Sequence, residues 1–200
     1  MTTSLGKFTD MNLYYDYNVH KVWKVRLNNL KGSPYNKHTY YKLIKFIPVE
    51  WQLILMSDGS FTQNLISLTG HSIKLNIVSN SIYQLDKNNS KIREIWLIDQ
   101  YYNKLAFAQS IWPKYDNQIS YAFTNSNKPI GQTLFESQTD VYKDIHEIYC
   151  GYCTNLDHQF QFDDVIWGRK YTMYSNKEPL TTIHEIFSPK IIDFFRPYII

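Results

Sequence analysis

Cysteine is scarce in this chain: Cys150 and Cys153 are the only two among 200 residues. Two cysteines cannot build a framework of disulfide bonds, which is typical of a protein from a reducing compartment. No apolar run reaches the length of a membrane span. The first ten residues also lack the apolar stretch behind a basic start that a secretory signal needs. We therefore expect a soluble, intracellular protein without membrane insertion.

A large excess of basic residues is also missing. The chain has 21 Lys and Arg against 18 Asp and Glu, a net charge of +3. The basic residues are scattered among the acidic ones and form no stripe. We therefore expect no nucleic-acid partner, whereas a small anionic ligand would need only one or two well-placed cations.

Several catalytic motifs are absent as well. The sequence has neither a G-x-x-x-x-G-K-[ST] nor a G-x-G-x-x-G loop, and no nucleophile elbow for a Ser-His-Asp site. Hydrophobic residues make up 44% of the chain, enough for one well-buried domain. The abundance of Asn, Lys, Ile and Tyr is typical of AT-rich genomes such as those of plastids.

Residues 1–47 are expected to form an irregular N-terminal leader that packs on a domain over residues 48–200. The leader is polar and contains the loop signal Gly32-Ser33-Pro34. Residues 51–55 are an apolar cluster. After them, Asp58 or Ser60 is predicted to cap a helix over residues 62–68 that ends at Gly70. A second, short helix is predicted over residues 129–137, with Pro at its start.

Six segments have the composition and alternation of β-strands. They cover residues 73–77, 92–98, 105–111, 142–148, 167–174 and 182–187. Polar turns at residues 99–104 and 175–178 join neighbouring strands as hairpins. Short turns between strands indicate an antiparallel sheet, with the few helices covering one side of it. The predicted fold class is α+β, in a single domain.

Four segments occur in the order and spacing of the chorismate pyruvate-lyase family, over roughly residues 48–189. They are Asp58-Gly59-Ser60-Phe61-Thr62; Arg93-Glu94-Ile95 leading to Trp112-Pro113; Pro129-Ile130-Gly131 with Leu134-Phe135; and Trp167-Gly168-Arg169 leading to His184-Glu185-Ile186-Phe187. Each segment alone is common. The ordered set resembles the family.

The resemblance implies a chorismate lyase-like fold and an enzyme, a carbon–oxygen lyase. Its substrate would be chorismate, and its product 4-hydroxybenzoate, a precursor of plastoquinone or ubiquinone. Chorismate carries two carboxylates, and losing pyruvate together with the ring hydrogen at C4 makes the ring aromatic. Aromatisation drives the reaction, so no cofactor and no metal are implied; the protein must orient the diacid and help the ether bond break. The implied location is the chloroplast stroma or a bacterial cytoplasm.

Two residues carry the implied catalysis. By resemblance Arg93 holds the ring carboxylate, for which the guanidinium fork is better suited than Lys. The alternative is a surface Arg paired with Glu94. By resemblance Glu185 hydrogen-bonds the ring hydroxyl or protonates the departing enolpyruvyl oxygen, as an inward-facing carboxyl would. Alternation places His184 and Glu185 on opposite faces of a strand, so one of them is expected outside.

Further binding residues are implied by the same resemblance. The backbone N–H of Ile130, next to Gly131, would bind a substrate carboxylate, because N–H groups at a helix start are free to bind an anion. Phe61 occupies a second such position, where the family pattern has Met and one residue fewer in the loop. Arg169 would either reach the pyruvyl carboxylate or brace the sheet.

A cysteine motif lies outside the resemblance. Cys150 and Cys153 form a C-x-x-C motif, and His146 and His158 extend it to H-x3-C-x2-C-x4-H. A redox pair, a regulatory disulfide and a zinc site are therefore alternatives to an ordinary structural role. The spacing matches no standard zinc finger, and the motif lies late in an antiparallel pattern.

Two functions without catalysis are alternatives to the lyase. Ligand-sensing domains of bacterial transcription regulators have a related fold behind a helix-turn-helix, and residues 1–45 show no helix-turn-helix pattern. A degenerate family member that binds chorismate-like acids without reaction is the second alternative.

Overall fold

A computed structural model of the chain describes residues 19–27, 42, 44–85, 88–112, 126–161 and 164–196. In these residues one sheet is formed by the strands β1 His20–Arg26, β2 Lys74–Leu85, β3 Asn88–Ile98, β4 Lys104–Trp112, β5 Tyr142–Tyr152, β6 Ile166–Ser175 and β7 Glu178–Phe187. The helices are α1 Val49–Leu55, α2 Phe61–Thr69, α3 Ile130–Glu136 and α4 Thr154–Phe160, followed by a 3₁₀ helix over Pro189–Phe195.

The strands follow the order β1-β5-β6-β7-β4-β3-β2, and every neighbouring pair is antiparallel. Both predicted hairpins are present. In the β3–β4 turn, the Asp99 carboxylate accepts from the backbone N–H of Tyr101 at 2.9 Å and of Asn103 at 2.8 Å. In the β6–β7 turn, Asn176 and Lys177 both have positive φ, as a two-residue hairpin turn requires. The α+β class is confirmed.

The N-terminal segment contains a strand that the sequence did not predict. β1 pairs with β5, from His20 opposite Tyr152 to Arg26 opposite Glu147, so the expectation of an irregular leader is wrong for these residues. Residues 1–18 and 28–41, with the predicted loop at Gly32-Ser33-Pro34, lie outside the described residues, as does Pro113.

The two predicted helices are present as α2 and α3, and two further helices were not predicted. The Ser60 hydroxyl caps α2 by accepting from the backbone N–H of Gln63 at 3.4 Å, and Gly70 ends the helix. α1 contains the apolar cluster of residues 51–55 and buries Trp51, Ile54 and Leu55. α4 directly follows β5.

Helices lie on both faces of the sheet. The larger core includes Trp51 of α1, Leu65 of α2 and Leu134 of α3, and it covers the face to which Arg93 points. On the opposite face, Leu156 and Phe160 of α4 belong to a second core with Trp96, Phe107 and Ile186 of the sheet. The expectation that helices cover one side is therefore wrong, because the sheet carries large apolar side chains on both faces and each set must be removed from water.

Candidate active site

A cavity of about 270 Å³ lies between the sheet and the first residues of α2 and α3. Ionisable and hydroxyl groups reach it from five different strands: Arg93 on β3, Ser110 on β4, Lys143 on β5, Tyr171 on β6 and Glu185 on β7. Apolar side chains, among them Ile95, Leu97, Met173 and Ile183, line much of the remainder. The cavity has the composition of a small-molecule site, with apolar walls and a few convergent polar groups.

Arg93 is 1% exposed, so the surface alternative is wrong. Its Nη2 donates to the backbone carbonyls of Ser126 at 2.8 Å and Lys128 at 3.1 Å. Its Nε and Nη1 have no hydrogen-bond partner among the described residues. Burial lowers the pKa of Arg93 below its ordinary value, because removing a guanidinium from water disfavours its charged form. An anion bound at Nε or Nη1 would stabilise the positive charge of Arg93.

Glu94, the surface partner considered for Arg93, lies on the other face of the sheet. Its carboxylate accepts from Gln109 Nε2 at 2.7 Å. Arg93 therefore has no ion pair with its neighbour in sequence, which is the result that strand alternation produces.

Glu185 is 6% exposed and lines the cavity. Its Oε2 accepts from Arg169 Nε at 2.7 Å, and its Oε1 accepts from the Tyr171 hydroxyl at 2.9 Å. Burial, followed by the charge of Glu185, raises the pKa of Tyr171 well above its ordinary value, so this hydroxyl keeps the proton that it donates. Both bonds fix the direction of the carboxylate.

Arg169 lies behind Glu185 and is not among the residues that line the cavity. It is fully buried. Its Nη1 donates to the carbonyls of Ile54, Leu55 and Ser57, at and just after the end of α1, at 2.9 to 3.1 Å. Of the two roles that the sequence left open for Arg169, this geometry favours bracing.

Phe61 and Ile130 are the first residues of α2 and α3, and both line the cavity together with Gly131. The two helix starts touch: a Cβ on Gly131 would lie 2.3 Å from the Ser60 hydroxyl and 2.8 Å from its Cβ. The absence of a side chain at Gly131 therefore allows both helix starts to reach the same end of the cavity.

Lys143 was not singled out from the sequence, although it lines the cavity. Its Nζ donates to the Gly59 carbonyl at 2.9 Å and lies 4.7 Å from the centroid of the Tyr171 ring. Burial lowers the pKa of Lys143 to about 8, and Arg169 acts in the same direction, whereas Glu185 and Asp58 oppose them.

Tyr171 and Ser110 were missed as well, although a sequence signal existed for both. Tyr171 follows Arg169 by two residues along β6, and therefore shares its face of the sheet. Ser110 pairs directly with Arg93 across β3 and β4. Its hydroxyl lies 3.3 Å from the Arg93 carbonyl and accepts from Trp112 Nε1 at 3.2 Å.

The cysteine motif occupies a different part of the fold. Cys150 lies in β5 and Cys153 just after it, and neither is part of a disulfide bond. His146 Nε2 lies 2.7 Å from the Thr172 hydroxyl, and His158 is exposed on α4. In the described parts of the chain, no three His, Cys, Asp or Glu side chains are grouped as metal ligands.

The fold and the site together define an α+β domain with a small-molecule cavity, lined by the basic residues Arg93 and Lys143 and the acidic residues Asp58 and Glu185. Residues 55–195 match the family described as chorismate pyruvate-lyase Rv2949c-like. The chain belongs to this family.

Relatives support the assignment to the family. The ycf21 protein of Antithamnion sp. is 43% identical over 155 residues, which are 78% of this chain and 87% of that protein. The ycf21 protein of Pyropia yezoensis is 35% identical over 151 residues, 74% of this chain and 86% of its own. Both are described as uncharacterized.

Solved structures share the fold at low identity. The effector domain of PhnF from Mycobacterium smegmatis has a TM-score of 0.52 at 10% identity, covering 66% of this chain and 90% of that domain. The gene product SA0254 of Staphylococcus aureus has a TM-score of 0.50 at 10% identity, with the same coverage. No helix in the described residues is long and apolar enough to cross a bilayer.

Proposed function

We propose that this protein is a chorismate pyruvate-lyase, which eliminates pyruvate from chorismate and releases 4-hydroxybenzoate without a cofactor. The observation that carries the proposal is Arg93, a buried cation that faces the cavity with two nitrogens lacking a partner among the described residues. Leaving such donors unpaired away from water is costly, so they indicate a site for an anion. Membership of the family suggests which anion.

In this proposal Arg93 binds the ring carboxylate through Nε or Nη1, since Nη2 is already engaged by two carbonyls. The backbone N–H groups of Ile130, Gly131 and Phe61 add donors at the same cavity. Together they orient the ring, so that binding supplies much of the entropy cost of reaching the reactive geometry.

Glu185 acts on the oxygen side of the ring. The hydrogen bonds that it makes to Arg169 and Tyr171 are both bonds that it accepts, which favours a role as acceptor for the ring hydroxyl over a role as donor to the departing oxygen. In the reaction the C4 hydrogen leaves as a proton, the C–O bond to the enolpyruvyl group breaks, and the enolpyruvate is protonated to pyruvate. Arg169 is a positioning residue that acts through Glu185.

We place the reaction in a plastid, where 4-hydroxybenzoate would supply the ring of a quinone. The support is the set of ycf21 relatives, which come from algae such as Antithamnion sp. and Pyropia yezoensis.

Purified protein is incubated with chorismate, and 4-hydroxybenzoate is followed by absorbance and chromatography. We expect turnover, and Arg93→Ala should lower kcat/KM on the order of 100-fold, the effect of losing a hydrogen bond to a charged group. Arg196→Ala, at an exposed position, is the control and should leave turnover unchanged. Intact chorismate combined with a raised Tm in 4-hydroxybenzoate would identify a binding protein without activity. No reaction and no binding would refute both functions.

A further inference from the structure

Lys143 is the second cation of the cavity. It lies on the same face of the sheet as Arg93, but on a distant strand. It lies on β5, four strands from Arg93 in the order β5-β6-β7-β4-β3, which separates their backbones by about 19 Å at the usual strand spacing. Both side chains reach the same cavity between these strands. The two positive charges therefore approach a ligand from opposite ends.

The hydrogen-bond partners of Lys143 are neutral. Its Nζ donates to the carbonyl of Gly59 at 2.9 Å and lies 3.4 Å from that of Ser57. In the described part of the chain no carboxylate lies within ion-pair distance of it. Its nearest acids act only at longer range: Glu185 is engaged by Arg169, and Asp58 borders the cavity.

Arg169 is less suited to hold a ligand carboxylate. Its Nε is bound to Glu185 and its Nη1 to three backbone carbonyls. Its Nη2 is buried without a hydrogen-bond partner among the described residues, but Arg169 does not line the cavity. Lys143 does line it, and its ammonium carries three donors, of which the neutral carbonyls of Gly59 and Ser57 engage at most two.

We propose that Lys143 binds the second carboxylate of a two-carboxylate ligand whose first carboxylate is held by Arg93. The identity of that ligand as chorismate rests on the proposed function; for chorismate, the group at Lys143 is the enolpyruvyl carboxylate. The cavity thereby distinguishes substrate from product, because 4-hydroxybenzoate retains only the carboxylate at Arg93.

The first test compares ligands with one and two carboxylates. Lys143→Gln should raise the KM for chorismate roughly 10- to 100-fold, as expected for a lost charge-assisted hydrogen bond, and leave the Kd of 4-hydroxybenzoate unchanged. Arg93→Ala should weaken the binding of both chorismate and 4-hydroxybenzoate. Lys24→Gln, exposed on β1, is the matched control and should weaken neither. Two outcomes would overturn the proposal. Either Lys143→Gln binds both ligands as tightly as the unchanged chain, or its binding of both ligands is weakened equally.

The second test uses pH. Because the pKa of Lys143 is about 8, the KM for chorismate should rise as the pH passes 8, while the Kd of 4-hydroxybenzoate stays flat. Arginine keeps its charge at this pH. The Lys143→Arg variant should therefore bind chorismate tightly, and its KM for chorismate should not rise as the pH passes 8. The charged groups facing Lys143 from neighbouring elements, Asp58, Arg169 and Glu185, are unchanged in that variant.

The two proposals fail in different ways. If the unchanged chain binds chorismate without converting it, the lyase is refuted, and Lys143→Gln is then judged by the Kd of chorismate against that of 4-hydroxybenzoate. If Lys143→Gln lowers kcat without changing the KM for chorismate, the lyase stands and the role of Lys143 in binding is refuted. If the unchanged chain binds neither acid, both proposals are refuted.

Discussion

At the scale of single residues, the direction of the Glu185 carboxylate depends on a fully buried arginine. Arg169 donates to Glu185 at 2.7 Å and to carbonyls at the end of α1, so one side chain connects β7, β6 and α1. Removing both ions from water is expensive, and their attraction offsets that cost only while both are present. The pair therefore contributes more to the geometry of the site than to net stability.

This pairing predicts a large loss of stability when one partner is removed. Arg169→Leu should lower the free energy of unfolding by about 3–5 kcal/mol, because it leaves the Glu185 carboxylate buried without its cation. Urea unfolding followed by tryptophan fluorescence measures the change. Arg196→Leu breaks the exposed pair of Arg196 with Asp193, which should cost less than about 1 kcal/mol. Equal losses in the two variants would contradict the bracing role.

At the scale of secondary-structure elements, the cavity requires α2 and α3 to begin next to each other. Gly131→Ala places a Cβ 2.3 Å from the Ser60 hydroxyl, and this should lower the free energy of unfolding by about 1–3 kcal/mol, as overpacking does. Thermal unfolding gives the measurement.

Ser60→Gly provides the rescue for that variant. It removes both Ser60 side-chain atoms that the new Cβ would meet, and Gly costs only a few tenths of a kcal/mol at a helix N-cap. The double variant Ser60→Gly, Gly131→Ala should therefore be more stable than Gly131→Ala alone. Additive losses would show that the strain at Gly131 lies elsewhere.

The elements that were predicted from the sequence are those with local signals at their ends. α2 has a Ser at its start and a Gly at its end, and the hairpins have local turn signals, so short-range chemistry was enough. α1 has Pro48 at its N-cap position and no side-chain cap, and its seven residues are too few to display a helical period. β1 depends on pairing with β5, more than a hundred residues later in the chain, which no local pattern encodes.

Lys143 was missed for a related reason. The register of β5 shifts between Ile145 and Glu147, and such a bulge reverses the alternation of faces beyond it. Lys143 and Ile148 therefore both belong to the cavity side of the sheet, although their spacing is odd. Arg93 and Glu185 were identified because the family resemblance named them, whereas alternation alone left the inward face undecided.

At the scale of the whole molecule, the sheet is buried on both faces, and the face opposite the cavity carries a polar row. Four residues of the row pair in register across neighbouring strands: Glu94 with Gln109, Gln109 with His184, and His184 with Lys170. His184 is 9% exposed, so both it and Glu185 are inside, and the expectation that one of them lies outside is wrong. Gly168 makes room for the His184 partner, since a Cβ there would lie 2.3 Å from the Tyr149 hydroxyl.

This second buried face predicts a dependence of stability on pH. His184 Nε2 lies 2.5 Å from the Tyr149 hydroxyl. Burial lowers the pKa of His184 well below its ordinary value, and Lys170 and Lys21 act in the same direction. Below a pH of about 6.5 the unfolded chain binds a proton at this residue that the folded chain does not. The stability contributed by neutral His184 is therefore complete above that pH and is lost on acidification.

We expect the free energy of unfolding to fall between pH 6.5 and 5.5 by about 1 kcal/mol on account of His184. His184→Gln cannot take up the proton, so this part of the slope should disappear in urea unfolding measured at both pH values. His158→Gln, at an exposed position on α4, should keep the slope of the unchanged chain. Because the carboxylates titrate alike in all three proteins, the comparison isolates His184. A His184→Gln variant with an unchanged slope would mean that the folded protein admits the proton, and the face opposite the cavity would then be open to water.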